Sequence, residues 1–253
     1  MCWKNDSKMF QFFRGLRSDA VAYGRIVRYL LYAMGEIALV VIGILIALYI
    51  NDRRDFRADR KQEVTYLREF YKDLEGNLQE LDRVIEKSGR TTRACDSIIA
   101  FSRGAVEEIS NEKLMELQSD IMGYTKHMTL EGTLEDLQGS GKLAIIRNDS
   151  VRRSLATWQA DMKLIRELEA DGKRTFEKYL EFLDAHFPFY ERYPDMERFK
   201  TTLLNQMLYL NRVTDRAITT DFLHETYLGV KPRWKMLLQT VDREITRLEK
   251  EGF

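Results

Sequence analysis

Arg147, Arg152 and Arg153 crowd around Asn148 and Asp149, two residue types that favour the start of a helix. Free N–H groups at such a start carry partial positive charge, so these amides and the three guanidinium groups could together hold a phosphate or a carboxylate. Ordinary capping with solvated arginines is the competing reading. A second constellation is His224-Glu225 with Asp221 on the preceding turn. A zinc-protease helix needs a second histidine four residues after the first, where this chain has Leu228. Di-metal helical bundles draw Glu-x-x-His from two helices, and neither His127 nor His186 has Glu three residues before it. Gly139-Ser140-Gly141-Lys142 has the ending of a phosphate-binding loop, but Asp136 stands where that loop needs glycine and Leu143 where it needs a hydroxyl. The two cysteines, Cys2 and Cys95, lie on opposite sides of a long apolar segment, which excludes a disulfide between them and a paired-cysteine metal site. No catalytic residue, metal ligand or cofactor site is expected, and the chain does not read as an enzyme.

That apolar segment, residues 29–50, is about as long as the roughly 20 residues a helix needs to cross a bilayer. A cleavable leader would have a shorter apolar core and small residues at its end, whereas this one ends in Tyr49-Ile50-Asn51-Asp52-Arg53-Arg54. Tyr29, Tyr32 and Tyr49 sit at its ends, where aromatic rings favour the headgroup level, and Arg28 and Arg53 bound it. No second run is long and apolar enough to cross, so a single pass is expected. Glu36 is its one charged residue. With Val40, Gly43 and Ala47 it follows a spacing of four, three and four, which places the four on one face, and Gly43 with Ala47 is a small-xxx-small pair that admits another helix. This face suits an oligomer or a partner membrane helix; a protonated or snorkelling carboxylate without a partner is the alternative.

Around the span the chain divides into four stretches. Residues 1–28 place Met9, Phe10, Phe12, Phe13 and Leu16 among Lys8, Arg14 and Arg17, as in a short helix lying in the membrane interface. Residues 29–50 are the span. Residues 51–90 form a long juxtamembrane helix, in which Val64, Leu67, Tyr71, Leu74, Leu78, Leu81 and Ile85 make a heptad seam, suited to a coiled coil or to docking in the chain's own bundle. Residues 91–253 are the rest of a helical domain. Arginines and lysines flank the span almost equally, and the short basic amino-terminal tail favours a carboxyl-terminal domain outside the cytoplasm.

With 40 Lys and Arg against 40 Asp and Glu, the chain lacks the basic excess that attracts nucleic acid, which is not expected as a partner. Three prolines in 253 residues leave few helix breakers, so the extramembrane part should be nearly all α. Short helices are expected over 92–101, over 111–122 capped by Ser110, and over 134–137 capped by Thr133. A long helix is expected from 150 to about 186, with Leu155, Trp158, Met162, Ile165, Leu168 and Phe176 inward, closed by Pro188. Another should run from 196 to 212 on Phe199, Leu203, Met207 and Leu210, and the last stretch, 214–251, should break near Gly229 and Pro232. A second seam at Trp234, Leu238, Val241, Ile245 and Leu248 would pair with the first. The fold class is all-α: an N-terminal transmembrane helix continuing into a long helix, followed by an antiparallel helical bundle.

Tyr32-Ala33 and Gly35-Glu36-Ile37, leading into Val40-Val41-Ile42-Gly43-Ile44-Leu45-Ile46-Ala47-Leu48 and Ile50-Asn51, resemble the anchor of a bacterial family of single-pass membrane proteins, domain of unknown function 6090. The stretch 134–158, with Leu137, Ser140-Gly141-Lys142-Leu143, Ile146, Asn148-Asp149 and Leu155, is similar to that family's second signature. The resemblance implies a membrane location, here the bacterial cytoplasmic membrane, and an α-helical domain; it carries no activity. Two roles follow from the residues: a membrane-anchored interaction or scaffold protein that binds copies of itself or a neighbouring membrane protein, or an extracytoplasmic sensing bundle that signals through a partner.

Overall fold

The computed structural model describes residues 7–104, 108–187, 195–202 and 204–252, with side chains from residue 27 onward. The side chains of Met9, Phe10, Phe12, Phe13 and Leu16, together with Cys2, Pro188 and Leu203, therefore lie outside the described residues. Among the described residues the structure is helical, with no strand: α1 (Ser7–Ser102), α2 (Asn111–Ile121), α3 (Gly132–Gly139), a 3-10 turn (Lys142–Ile145), α4 (Asp149–His186), α5 (Met196–Thr202) and α6 (Met207–Glu251).

The chain forms two compact units, Met1–Asp59 and Arg60–Phe253. In the first, α1 is long and apolar enough to cross a membrane, and its apolar window is unburied throughout. Leu39 is 74% exposed, and Ile37, Ile42, Ile44 and Leu48 are exposed with it.

In the second unit, side-chain pairs set the helix directions. Arg68 on α1 meets Glu249 on α6 at 2.5 Å, Asp82 pairs with Lys231, and Ser88 Oγ lies 2.9 Å from His224 Nδ1, so α1 and α6 are antiparallel. Between α4 and α6, Asn148 donates to Glu244 (2.6 Å), Tyr227 to Glu169 (2.7 Å), and the hydroxyls of Thr175 and Thr219 are 2.9 Å apart, again antiparallel. Consequently α1 and α4 point the same way: Glu63 accepts the Arg147 N–H at the start of α4, Phe70 packs edge-on against Trp158, and Cys95 and Ile98 share a core with Tyr179 and Leu183 at the far ends.

Two parallel helices in succession force the intervening chain back along the whole bundle. α2, an irregular strap over residues 122–131, α3 and the 3-10 turn make that journey. The strap has no ladder of its own, so α1 side chains satisfy its backbone, as buried peptide groups require. Thr91 Oγ1 donates to Asp120 O (2.8 Å), Lys87 Nζ to Tyr124 O (3.3 Å) and Arg83 Nη2 to Lys126 O (3.2 Å). Met128 N–H then donates to Glu80 (3.1 Å), and Thr133 N–H to Asp73 (3.3 Å).

Several helix limits differ from expectation. The residues assigned to a separate helix over 92–101 continue α1, because polar Asn77, Ser88 and Thr91 extend its buried seam to Cys95 and Ile98. Thr133 is inside α3 and caps nothing. Ser110 caps α2 as expected, accepting from Lys113 N–H (3.1 Å), and Asn148 caps α4. The helix expected over 196–212 is split by a turn at Leu204 and Asn205; Leu204 is buried there, whereas Met207, expected inward, is 77% exposed. Instead of breaking, α6 runs through Gly229 and Pro232. Proline removes one backbone donor, but exposed Leu228 and Gly229 keep their carbonyls accessible, Arg233 Nη1 donates to Gly229 O (3.2 Å), and buried Val230 and Trp234 hold the helix across it.

Candidate functional site

The strap and α4 enclose a groove of about 640 Å³ in the second unit. Its walls are Tyr124 and residues 126–131 on one side and Arg166, Glu169, Ala170 and Lys173 on the other. Side chains along the strap alternate: Thr125 and His127 are buried, while Lys126, Met128 and Leu130 are exposed. That alternation is the signature of extended chain.

His127 is 3% exposed and anchors the inner side. Its Nε2 lies 3.0 Å from Asn77 O, which can only accept, so Nε2 carries the proton; Nδ1 then accepts from Thr129 Oγ1 at 2.9 Å. Burial lowers the His127 pKa, in keeping with a neutral ring. The ring also meets Trp234 edge-on at 5.5 Å. Both nitrogens are spent inside the fold, so the imidazole is not offered to the groove as a base. The His127 backbone N–H donates to Glu169 Oε1 at 2.6 Å, and the same oxygen accepts from Tyr227 at 2.7 Å. Burial first, then the nearby Glu169 charge, pushes the Tyr227 hydroxyl well above its ordinary range, so it stays a donor. Behind this cluster Arg233 grips Asp161 with two bonds (2.5 and 3.2 Å), and Trp234 Nε1 donates to the same carboxylate at 3.1 Å.

Three cations, Lys126, Arg166 and Lys173, and two carboxylates, Glu131 and Glu169, line the groove. Arg166 is paired with Glu131, and Lys173 lies 3.6 Å from Glu177. Lys126 makes no ion pair among the described residues and stands free in solvent. Lys126 and Lys173 belong to opposite walls, so the groove offers one ammonium from each side.

The residues singled out by sequence fall elsewhere. Asn148 Oδ1 takes the Ser150 and Val151 amides (2.9 and 3.4 Å), and Arg152 bonds Asp149 and Ile146 O (3.0 Å), so the helix start beside Arg147, Arg152 and Arg153 is occupied by its own cap. All three arginines are exposed. His224 faces Ser88, while Asp221 is exposed. Among the described residues no three His, Cys, Asp or Glu side chains converge on a metal position. Glu36, Val40, Gly43 and Ala47 lie on α1 in the first unit, and nothing approaches within 4 Å of where a Gly43 side chain would start. His127 was weighed in the sequence only as a metal ligand; its cluster with Glu169 and Tyr227 escaped because the partners are 42 and 58 residues apart along the chain. One signal was present: Glu169 lies four residues past Ile165, so the alternating spacing of three and four that runs through Leu155, Trp158, Met162 and Ile165 reaches it as well as Leu168.

A family described as a family of unknown function, DUF6090, matches residues 36–166, which take in most of the apolar segment, the rest of α1, α2, the strap, α3 and the first half of α4. No curated protein and no solved structure matches. The match spans more than half of the chain, which belongs to the family of unknown function DUF6090.

Proposed function

We propose that this protein is anchored in the bacterial cytoplasmic membrane by one helix and acts by binding other molecules through its helical unit, as an interaction or scaffold protein. The observation that carries the reading is the fully exposed apolar window of α1, a surface that water disfavours by roughly 25 cal/mol per Å² and that a bilayer accepts. The open face of Glu36, Val40, Gly43 and Ala47 is where a second copy or a partner helix packs in this reading.

The test is fractionation of cells making the full chain. The protein should stay with membranes through an alkaline carbonate wash and leave only with detergent; release by carbonate would overturn the anchor. Crosslinking of the full chain in its membrane should capture an oligomer or partner that Gly43→Leu loses, and capture unaffected by Gly43→Leu removes this face from the interaction. Cys95 is buried, so the side of the membrane should be read from an exposed position such as Gln239→Cys in a chain carrying Cys2→Ser, labelled from outside intact cells. Labelling confined to opened cells would put the helical unit in the cytoplasm, against the expected topology. The groove favours the second reading, a ligand-sensing bundle working through a partner.

A further inference from the structure

Over the strap, the six steps from Tyr124 to Leu130 accompany the ten steps of α1 from Lys87 to Asn77. Ten helical steps rise about 15 Å, so the strap advances about 2.5 Å per residue, well beyond the roughly 1.5 Å of a helix and about three quarters of the roughly 3.3 Å of a full strand. In such a chain successive residues aim their backbone groups to opposite edges. Tyr124, Lys126, Met128 and Leu130 all turn theirs to α1. His127 turns the other way and its N–H meets Glu169 on α4. The His127 carbonyl and the Thr129 N–H and carbonyl share that second edge, and among the described residues no hydrogen bond of the chain reaches them. The edge borders the 640 Å³ groove, which has the size of sites that hold small ligands, roughly 300–1,000 Å³.

An unpaired extended edge selects for another extended backbone, since only a peptide matches its alternating donor and acceptor. The groove's charges select one end of it, because Lys126 and Lys173 place two ammonium groups on opposite walls. We propose that the groove between the strap and α4 takes a short extended peptide, pairing with the free edge at His127 and Thr129 and giving its C-terminal carboxylate to Lys126 and Lys173. This deepens the ligand-binding reading and is independent of the anchor, so either can fail without the other.

The test uses the full chain in detergent micelles and two fully randomised tetrapeptide libraries, one with free C-terminal carboxylates and one amidated, with retained peptides identified by mass spectrometry. Retention from the free-acid library should exceed that from the amidated library by about tenfold, the worth of a charge-assisted contact. Lys126→Gln combined with Lys173→Gln should abolish the difference while leaving the melting temperature unchanged, since both side chains are exposed. No retention from either library overturns the proposal. Equal retention from both, or a preference that survives the double substitution, overturns the assignment of the carboxylate to these lysines. None of these outcomes bears on carbonate resistance, which tests the anchor.

Discussion

Asn77 holds Leu130 by both ends of its carboxamide: Nδ2 donates to Leu130 O at 2.8 Å, and Leu130 N–H donates to Oδ1 at 2.7 Å. A helix side chain thereby reproduces a backbone pair of a sheet and clamps the strap to α1. Asn77 is fully buried, and its own carbonyl accepts from His127, so one residue fixes two strap positions.

Asn77→Ala should therefore cost about 2–4 kcal/mol, since it removes two bonds and leaves the Leu130 N–H and carbonyl without their partner. At this chain length that is a melting temperature lower by about 5–15 °C in thermal unfolding of the full chain. A shift of under about 2 °C would show that water replaces the clamp without loss. Asn77→Asp keeps the acceptor but sets a carboxylate oxygen against Leu130 O in a buried place, and should cost at least as much as alanine.

Tyr227→Phe deletes the hydroxyl on Glu169 and leaves only the His127 amide on that oxygen. The expected loss is about 1.5–3 kcal/mol, the range for hydrogen bonds to charged groups. Denaturant titration of both proteins measures it. If Glu169→Ala and Tyr227→Phe prove additive when combined, the two side chains are not coupled and the contact contributes nothing.

Burial lowers the His127 pKa, so the folded chain resists taking a proton that the unfolded chain accepts near pH 6.5. Its contribution to stability is complete above that pH and declines as pH falls toward the folded value. The hydrogen bond to Asn77 O, Glu169 and Glu80 oppose the shift while Arg83 adds to it, and burial outweighs the opposition. Melting temperatures of the wild type and His127→Gln, compared from about pH 7.5 to 5.5, should show a steeper acid loss in the wild type. Parallel curves would mean that the fold leaves the His127 titration unshifted, and a shallower acid loss in the wild type that the folded ring takes up the proton.

Burial pushes the Cys95 thiol up to about 12, and the side chain has no exposure. A maleimide should leave it unmodified near neutral pH and react fully once the chain is denatured, because the thiolate is the nucleophile. Rapid labelling of the native protein would mean that the end of the bundle near Tyr179 and Tyr209 opens on the labelling timescale.

Sequence alone determined the elements whose cause is local. The run 29–50 has the length and composition of a helix that could cross a bilayer, and it is helical and exposed. The spacings at Val64, Leu67, Leu74 and Leu81 and at Trp234, Val241, Ile245 and Leu248 placed two seams, and both are buried together in one core. Ser110 and Asn148 marked helix starts because a cap is a contact across three residues. Tertiary structure decided the rest. Asn77, Ser88 and Thr91 are polar and reveal their inward place only when Leu130, His224 and Asp120 arrive to bond them. Pro232 ends a helix in isolation, yet packing at Val230 and Trp234 carries α6 past it. The parallel course of α1 and α4, and the strap it compels, follow from where distant helices dock. The groove between Lys126 and Lys173 exists for that reason too: its two walls meet only after the chain has gone the length of the bundle and returned.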